Sequence, residues 1–487
     1  MIAHTAQKYS KSEGLQVSKH YQNDLLRLEE TLQEFDNEVS RYLLHEGNFA
    51  ERPRRIKMTW QCHKPHEIAL LGVLLNDLKQ WHLLNGGSRF SSKYKFALDV
   101  VVANLLLCGR NRQQMLYSRR TSASEYHKIQ NPRKLDSRMI MTCIDFLASQ
   151  GYLAHHEIAV PKMGINSYCT PSKALIYCLE REKTRIKLAE NAPLIQLRDH
   201  EKKPVTLPDD RESLREIERM AAPVRAYNLL WLKHEAKIEY LENGEPKERQ
   251  VTPYLWRVFN HKLNLGGRWY GGDYQNIDRE LRSAILIDNE QTVEPDYSAM
   301  HLNLLYSMKG LEMQGDPYTI EGYDRKAAKL ACLILVNSKN YKAFMCMWNK
   351  SANPKLRAWL KSWKREYQSY LDDQRAGYHR ERPEMPEVLK GIDESIPLNM
   401  RAKPLLRAFL ERHSAIKDLF CTEHIGLKLQ FMDSEILGEV VSRLAKLDIP
   451  VLPLHDSVRC RVSDEAIVKE TMIKAFKDYT GTNPTVK

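Results

Sequence analysis

The stretch from Val293 to Asn337 constrains this chain more than any other. It reads as a strand at Thr292 and Val293 that runs into Asp296-Tyr297-Ser298. An amphipathic segment through Leu302, Leu305 and Tyr306 follows, then a turn at Gly315-Asp316-Pro317 and a helix carrying Arg325 and Lys329. An aspartate at a strand end, followed by a cationic helix, is a place to hold metal and phosphate. Taken alone, Asp296 reads as a turn or cap residue. Its partner is far downstream, where Ile449 to Val462 reads as an apolar strand, a polar tight turn at His455, Asp456 and Ser457, and a second strand. Such a hairpin presents Asp456 at its tip.

Two carboxylates converging from separate strands suit a pair of divalent cations about 4 Å apart, the geometry of in-line displacement at phosphorus. Oxygen ligands favour magnesium or manganese over zinc. Arg325, Lys329, Leu333 and Asn337 follow at four-residue steps and share one helical stripe. The cations of that stripe can neutralise a triphosphate as charge moves onto the leaving pyrophosphate.

These residues, in this order and spacing, resemble the palm and fingers of family A DNA polymerases and of their relatives, the single-subunit phage-type RNA polymerases. Asp296-Tyr297-Ser298 matches the first palm motif, Arg325-x3-Lys329 the start of the fingers helix, and His455-Asp456-Ser457 the second palm carboxylate. Upstream, Gly267-Arg268, Tyr274-Gln275-Asn276-Ile277 and Arg282 resemble the segment that precedes the first palm motif. Gln430 with Glu435-Ile436-Leu437 resembles the family's Gln-x4-acidic-Ile-Ile helix. Five elements in the right order are specific, whereas any one is weak. The likeness runs from about Pro253 to the C-terminus, with 344–415 unmatched.

The resemblance implies an α+β right hand of palm, fingers and thumb. It would place two Mg2+ or Mn2+ ions on Asp296, Asp456 and the backbone carbonyl of Tyr297. Arg325, Lys329, Leu333, Asn337 and His301 would surround the incoming nucleotide, with Lys329 also a proton donor. Arg268, Gln275, Asn276, Gln430 and His455 would meet the primer-template. Three departures stand out. His301 occupies the position where the family's DNA polymerases carry the glutamate that excludes a ribose 2'-hydroxyl. Leu333 and Asn337 replace the aromatic residues of the fingers helix. Pro295 removes a ladder donor from the strand before Asp296, which predicts a bulge or an edge there.

At 487 residues, 43% of them hydrophobic, the chain is long enough for two or more domains. A formal net charge of +12 favours a polyanionic partner, nucleic acid first. No apolar run approaches the roughly 18 residues of a membrane span, and the first residues carry no signal-peptide core, so a cytoplasmic protein is expected. Nine cysteines without a Cys-x-x-Cys pair read as buried free thiols.

The N-terminal region (1–90) opens on Leu25, Leu28, Leu32, Phe35, Val39 and Tyr42, an amphipathic helix that packs on its own domain or pairs two copies into a homo-oligomer. Asp36-Asn37-Glu38 copies an exonuclease spacing but sits on a helical pattern, so no proofreading site is read. Residues 91–180 read as a winged helix: a helix from Tyr94 to Leu107, continued or followed by Arg110 to Tyr117, and a helix from Asp136 to Gln150 capped by Asp136 or Ser137. Strands at His156–Val160 and Ser167–Thr170 complete it. Arg110, Arg112, Arg119, Arg120, Arg133 and Lys134 crowd this module and are candidate DNA contacts, against the alternative of a plain solvated surface.

The charged, proline-broken stretch 181–220 reads as a linker or connector. The polymerase-like region, 221–487, begins with helical periodicity from Ala221 to Tyr240 and a turn at Asn243-Gly244-Glu245-Pro246, thumb by analogy. Trp348, Trp359 and Trp363 stand among cations in the unmatched piece, either as core or as template contacts. Ser463-Asp464-Glu465 reads as the cap of a closing helix. Three functions follow: a DNA polymerase of a phage, plasmid or mobile element; an RNA polymerase or primase; or a DNA-binding protein whose palm has lost activity. The expected partners are DNA and nucleoside triphosphates, and no membrane.

Overall fold

The computed structural model describes residues 54–87, 89–110, 113–119, 131, 133–157, 167–190, 192–242, 245–375 and 380–487. The N-terminal helix expected from Leu25 to Tyr42, the exonuclease-like Asp36-Asn37-Glu38, Arg112 and Arg120 lie outside the described residues. Helices and strands mix throughout, as an α+β chain requires, and among the described residues no helix is long and apolar enough to cross a membrane. The chain divides into two compact units. One is residues 1–194, 228–256 and 271–291; the other is 195–227, 257–270 and 292–487.

The first unit is built on helix α1 (Tyr94–Arg110), in which Ala97, Leu98, Val101, Leu105 and Cys108 are all buried. Two polar residues on that helix are buried with partners. Asn104 donates to the Lys57 and Val100 carbonyls at 3.0 and 2.8 Å and accepts from the Lys57 N–H at 2.9 Å. Asp99 accepts from the Cys62 N–H at 2.8 Å. Helix α2 (Ser137–Ser149) starts where Asp136 accepts the Arg138 N–H at 2.8 Å, a cap worth about 1 kcal/mol. Its face of Ile140, Cys143, Ile144 and Leu147 is buried.

The hairpin expected after α2 forms as Leu153–Glu157 paired antiparallel to Ser167–Pro171. Arg110 to Tyr117, expected as helix, instead yields a strand at Met115–Tyr117. It joins this sheet because Met115 and Tyr117 alternate inward on a period of two. The stretch 236–240, also expected as helix, is the strand Ala236–Glu242. It pairs antiparallel with Glu245–Gln250; Asn243 and Gly244, expected as a turn, lie outside the described residues. Its β-branched and aromatic residues Ile238 and Tyr240 suit a pleated surface better than a helix.

The second unit carries the palm-like motifs. The strand Ile195–Arg198 pairs parallel to residues of Trp256–Asn260 and antiparallel to Pro204–Val205. The sheet is completed by Lys262–Tyr270. The stretch 181–220, read as a linker or connector, supplies the strands Ile186–Leu188, Ile195–Arg198 and Pro204–Val205 and the start of the helix Arg211–Leu230, and one division between the two units falls inside it, after Leu194. Its strands escape a composition reading because they are only two to four residues long and charged residues stand within them as well as beside them.

Helix α3 (Met300–Ser307) follows Asp296-Tyr297-Ser298, and helix α4 (Arg325–Asn337) starts on an Asp324 side chain that accepts the Lys326 N–H at 2.7 Å. Helices α5 (Pro354–Arg375) and α6 (Ile425–Lys446) follow. Leu429, Ile436, Leu437, Val440 and Leu444 form the buried side of α6. Burying each such side chain contributes about 2 kcal/mol. Asp464, expected to cap the closing helix Glu465–Thr480, makes no cap bond; its carboxylate pairs with Arg461 at 2.6 Å instead.

Candidate active site

Asp296 and Asp456 are brought together by backbone pairing. The hairpin Leu452–Leu454 and Ser457–Arg461 closes on the two residues His455 and Asp456, with Leu454 opposite Ser457. His455 has φ 58°, the sign that a two-residue hairpin turn needs at its first central position. The hairpin docks on the strand Glu290–Val293, where Val293 pairs with Cys460, and on the segment that follows. Val458 donates its N–H to the Pro295 carbonyl at 2.9 Å, and Tyr297 donates to the Asp456 carbonyl at 3.1 Å. Pro295 thus lies just beyond the strand and uses only its acceptor, which needs no bulge.

A further pairing fixes Asp296 from the other side. Lys487 donates its N–H to the Asp296 carbonyl at 3.0 Å, Ser298 donates to Thr485 at 2.8 Å, and Tyr297 bridges Val486. The Tyr297 side chain is 3% exposed and donates to the Met472 carbonyl at 2.6 Å, so it anchors the motif and leaves chemistry to its neighbours.

Electrostatics at the pair are strained. Burial pushes the Asp296 carboxyl up to about 6; Asp456 and Glu294 add to the rise, and Lys329 and Lys487 oppose it. Glu294, which the sequence reading passed over, is itself held by Arg459 at 2.6 Å and by the Ser457 hydroxyl at 3.0 Å. Neighbouring carboxylates, one of them penalised by burial, are a donor set that a divalent cation would relieve, and their hard oxygens fit magnesium or manganese. Among the described residues no group of three or more His, Cys, Asp or Glu side chains is placed to hold a metal ion.

The stripe on α4 forms as its spacing requires: Arg325, Lys329, Leu333 and Asn337 are all exposed, over a buried face of Ala328, Ala331, Cys332 and Leu335. Lys329 is the member whose charge acts on Asp296. Arg325 is engaged by Asp316 through two bonds of 2.6 and 3.2 Å and lies over the Tyr318 ring. The turn that carries Asp316 is pinned by buried His413, which donates from Nε2 to the Pro317 carbonyl at 2.9 Å and accepts from the Tyr306 hydroxyl at 3.0 Å. Asn337 donates back to the Leu333 carbonyl at 2.8 Å, and Leu333 is 52% exposed.

A second cluster involves Arg268. Gly266 and Gly267 have φ 79° and 75°, and a Cβ on Gly267 would come within 2.6 Å of the Phe259 ring. This left-handed glycine pair kinks the strand Lys262–Tyr270 just before Arg268. One terminal nitrogen of Arg268 lies 3.3 Å from Asp433 and 3.4 Å from His301 Nε2. A guanidinium only donates, so His301 accepts at Nε2 and carries its proton on Nδ1. Burial, aided by Arg268, holds His301 down at about 4 and therefore neutral. His455 is lowered by burial first and by Arg268 second, and its ring lies 6.2 Å from Tyr270.

Asp433 is a candidate site residue that the sequence reading does not single out. It is 2% exposed on α6, and burial raises its carboxyl to about 7 despite Arg268. Its signal was present: an acid at the apolar spacing of Leu429 and Leu437 cannot stay on a core face without a partner. Gln430, one turn earlier, is half-buried. Glu435 is structural: it pairs with Arg257 at 2.8 Å and Arg219 at 2.7 Å. Gln275 and Asn276 belong to the first unit, in the turn Asp273–Asn276, where Gln275 accepts the Gly271 N–H at 3.2 Å.

Of the six cations proposed as DNA contacts in 91–180, three are engaged by acids. Arg110 donates to Glu180 at 2.7 Å, Arg119 to Asp145 at 2.7 and 2.8 Å, and Arg133 to Asp99 at 3.3 Å. Lys134 is exposed in a left-handed turn with φ 49°. No family model and no curated protein matches the chain.

Proposed function

We propose that the chain is a template-directed nucleotidyltransferase that extends a nucleic-acid primer, in the first place a DNA polymerase of a phage, plasmid or mobile element without a proofreading exonuclease. One observation carries the reading: two carboxylates far apart in sequence share a hydrogen-bonded backbone junction, and Lys329 of a cationic helix acts on one of them. Asp296, Asp456 and the Tyr297 carbonyl would hold two Mg2+ ions, which when bound activate the primer 3'-hydroxyl and neutralise the leaving pyrophosphate. Lys329 would bind the triphosphate and give a proton to the leaving group. Arg325 would exchange Asp316 for phosphate oxygen, a charge-assisted partner of equal geometry. Arg268, held by Asp433, would donate to the nascent pair, with Gln430 and His455 beside it.

A second reading, an RNA polymerase or primase, is favoured by one residue. His301 is neutral, so it places no carboxylate against a ribose hydroxyl, and an imidazole with its proton on Nδ1 can donate to one. Extension of a labelled primer-template with Mg2+ or Mn2+, with deoxynucleotides and ribonucleotides supplied separately, tests both. Asp456→Ala is the control and is expected to lose all product. Extension with deoxynucleotides alone supports the first reading, and extension with ribonucleotides supports the second. No product with either, alongside tight DNA binding, would sink the enzymatic reading and leave a binding protein.

A further inference from the structure

Helix α5 lies in the unmatched stretch 344–415 and has two unlike sides. Its inner side is committed to its own unit: Leu360 is 4% exposed, and Arg357 turns inward to the carbonyls of Ser351 at 2.6 Å, Asp393 at 3.2 Å and Ile396. Trp363 donates to the Glu384 carbonyl at 3.1 Å and stacks on Tyr367. On the outer side, Lys355, Ala358, Trp359, Lys361, Ser362 and Arg365 are all exposed; the helical period spreads them over an arc of about 160°, with Trp359 at one edge, Lys361 at the other and exposed Glu366 within it. Trp359 is 49% exposed, unlike Trp348, which is fully buried in the core.

Charge on this face is unbalanced. From Pro354 to Arg365 the helix carries Lys355, Arg357, Lys361, Lys364 and Arg365 and no acid. Glu394 holds Lys364 and the inner carbonyls hold Arg357, whereas no hydrogen bond or ion pair engages the Lys355, Lys361 or Arg365 side chains among the described residues. The nearest acid on the helix, Glu366, faces Arg380 at 3.7 Å. One exposed indole among cations offers too little apolar area for an amphipathic membrane helix or for the core of a protein interface. Trp359 is the one large exposed apolar side chain on α5, and protein interfaces are depleted in lysine. The same set suits a phosphate chain with unpaired bases, because a duplex keeps its base faces stacked internally and offers an indole none.

We propose that the outer face of α5 binds single-stranded nucleic acid, with Lys355, Lys361 and Arg365 on phosphates and Trp359 stacked on a base. The binding needs no turnover, so it is tested apart from the catalytic reading. Fluorescence anisotropy of labelled oligodeoxythymidylate, oligouridylate and a blunt duplex is measured with the full chain across salt, the first two arms separating DNA from RNA. The triple variant K355A/K361A/R365A is expected to weaken single-strand binding and to lower the salt slope by about 2, from roughly 0.7 per phosphate contact. Trp359→Ala is expected to weaken it about tenfold with the slope unchanged. Far-ultraviolet circular dichroism and melting of both variants, matched to the parent, exclude unfolding as the cause. Unchanged affinity in the triple variant, equal affinity of the parent for duplex with no effect of Trp359→Ala, or no oligonucleotide binding by the parent at low salt would each overturn the proposal.

Discussion

Asp296 is a carboxyl whose charge the fold resists, and that makes it testable without a substrate. Its folded pKa, about 6, lies above that of a free aspartate, so the folded chain binds more protons than the unfolded one between about pH 4 and 6. Stability is therefore fullest below that window and is lost as pH rises through it. With the solvent access of the site allowed for, Asp296→Asn should raise the stability of metal-free protein at neutral pH by on the order of 1 kcal/mol, read in urea melts. Millimolar Mg2+ should raise the melting temperature of the parent and not of this variant; an identical Mg2+ response would remove Asp296 from the metal site. Asp433 is the second such residue. Asp433→Asn keeps an acceptor but frees Arg268, so kcat/KM for the correct nucleotide should fall about tenfold, roughly 1.4 kcal/mol, with little change in melting temperature. Any step in the pH profile near 7 that this carboxyl causes should vanish with it. The residues that were legible in sequence, Asp296, Asp456 and the Arg325–Lys329 stripe, owe it to local rules of turn and helix spacing. Asp433 was hidden because its meaning depends on Arg268, 165 residues away. The same distance misleads for Arg110, Arg119 and Arg133: a count of cations does not reveal that Glu180, Asp145 and Asp99 fold back onto them.

Helices and strands were legible where one period dominated. The face and cap of α2 and the hairpin at Asp456 follow directly from periods of 3.6 and 2. The strand at Ala236–Glu242 was lost because the apolar helix before it carries its pattern across the turn, and Pro223, which falls inside that helix, gave no stop. One close contact between elements could not be read at all. Gly426 at the start of α6 faces the end of α4, where an added Cβ would stand 2.7 Å from the Val336 carbonyl oxygen and 2.8 Å from Asn337 Oδ1. Backbone cannot yield as a side-chain tip does. Gly426→Ala, ordinarily a gain in a helix, should therefore destabilise by about 1–3 kcal/mol in thermal or urea melts. A neutral or stabilised variant would mean that α4 shifts freely against α6.

At the scale of the molecule, each compact unit is assembled from three separate lengths of chain. A polymerase-like fragment cut at 221, where composition suggests a boundary, would lose Ile195–Arg198 and Pro204–Val205 from its sheet and the Arg219 partner of Glu435. It should be less soluble and melt several degrees below a fragment begun at 195, since an opened sheet edge both loses hydrogen bonds and invites aggregation. Equal yield and melting of the two would refute this. The interleaving could not be seen from composition, which reports stretches and not their pairings.

The junction at Asp296 has a last consequence, in time and not in space. Ser457, whose hydroxyl holds Glu294, is 163 residues further along the chain. At roughly 5–20 residues per second of synthesis, the first carboxylate leaves the ribosome some 8–33 s before its hairpin partner. During that interval the strand Glu290–Val293 has no neighbour on its Ser457–Arg461 side, and the nascent chain cannot gather the second carboxylate. The two carboxylates therefore meet only once the hairpin that carries Asp456 has been made.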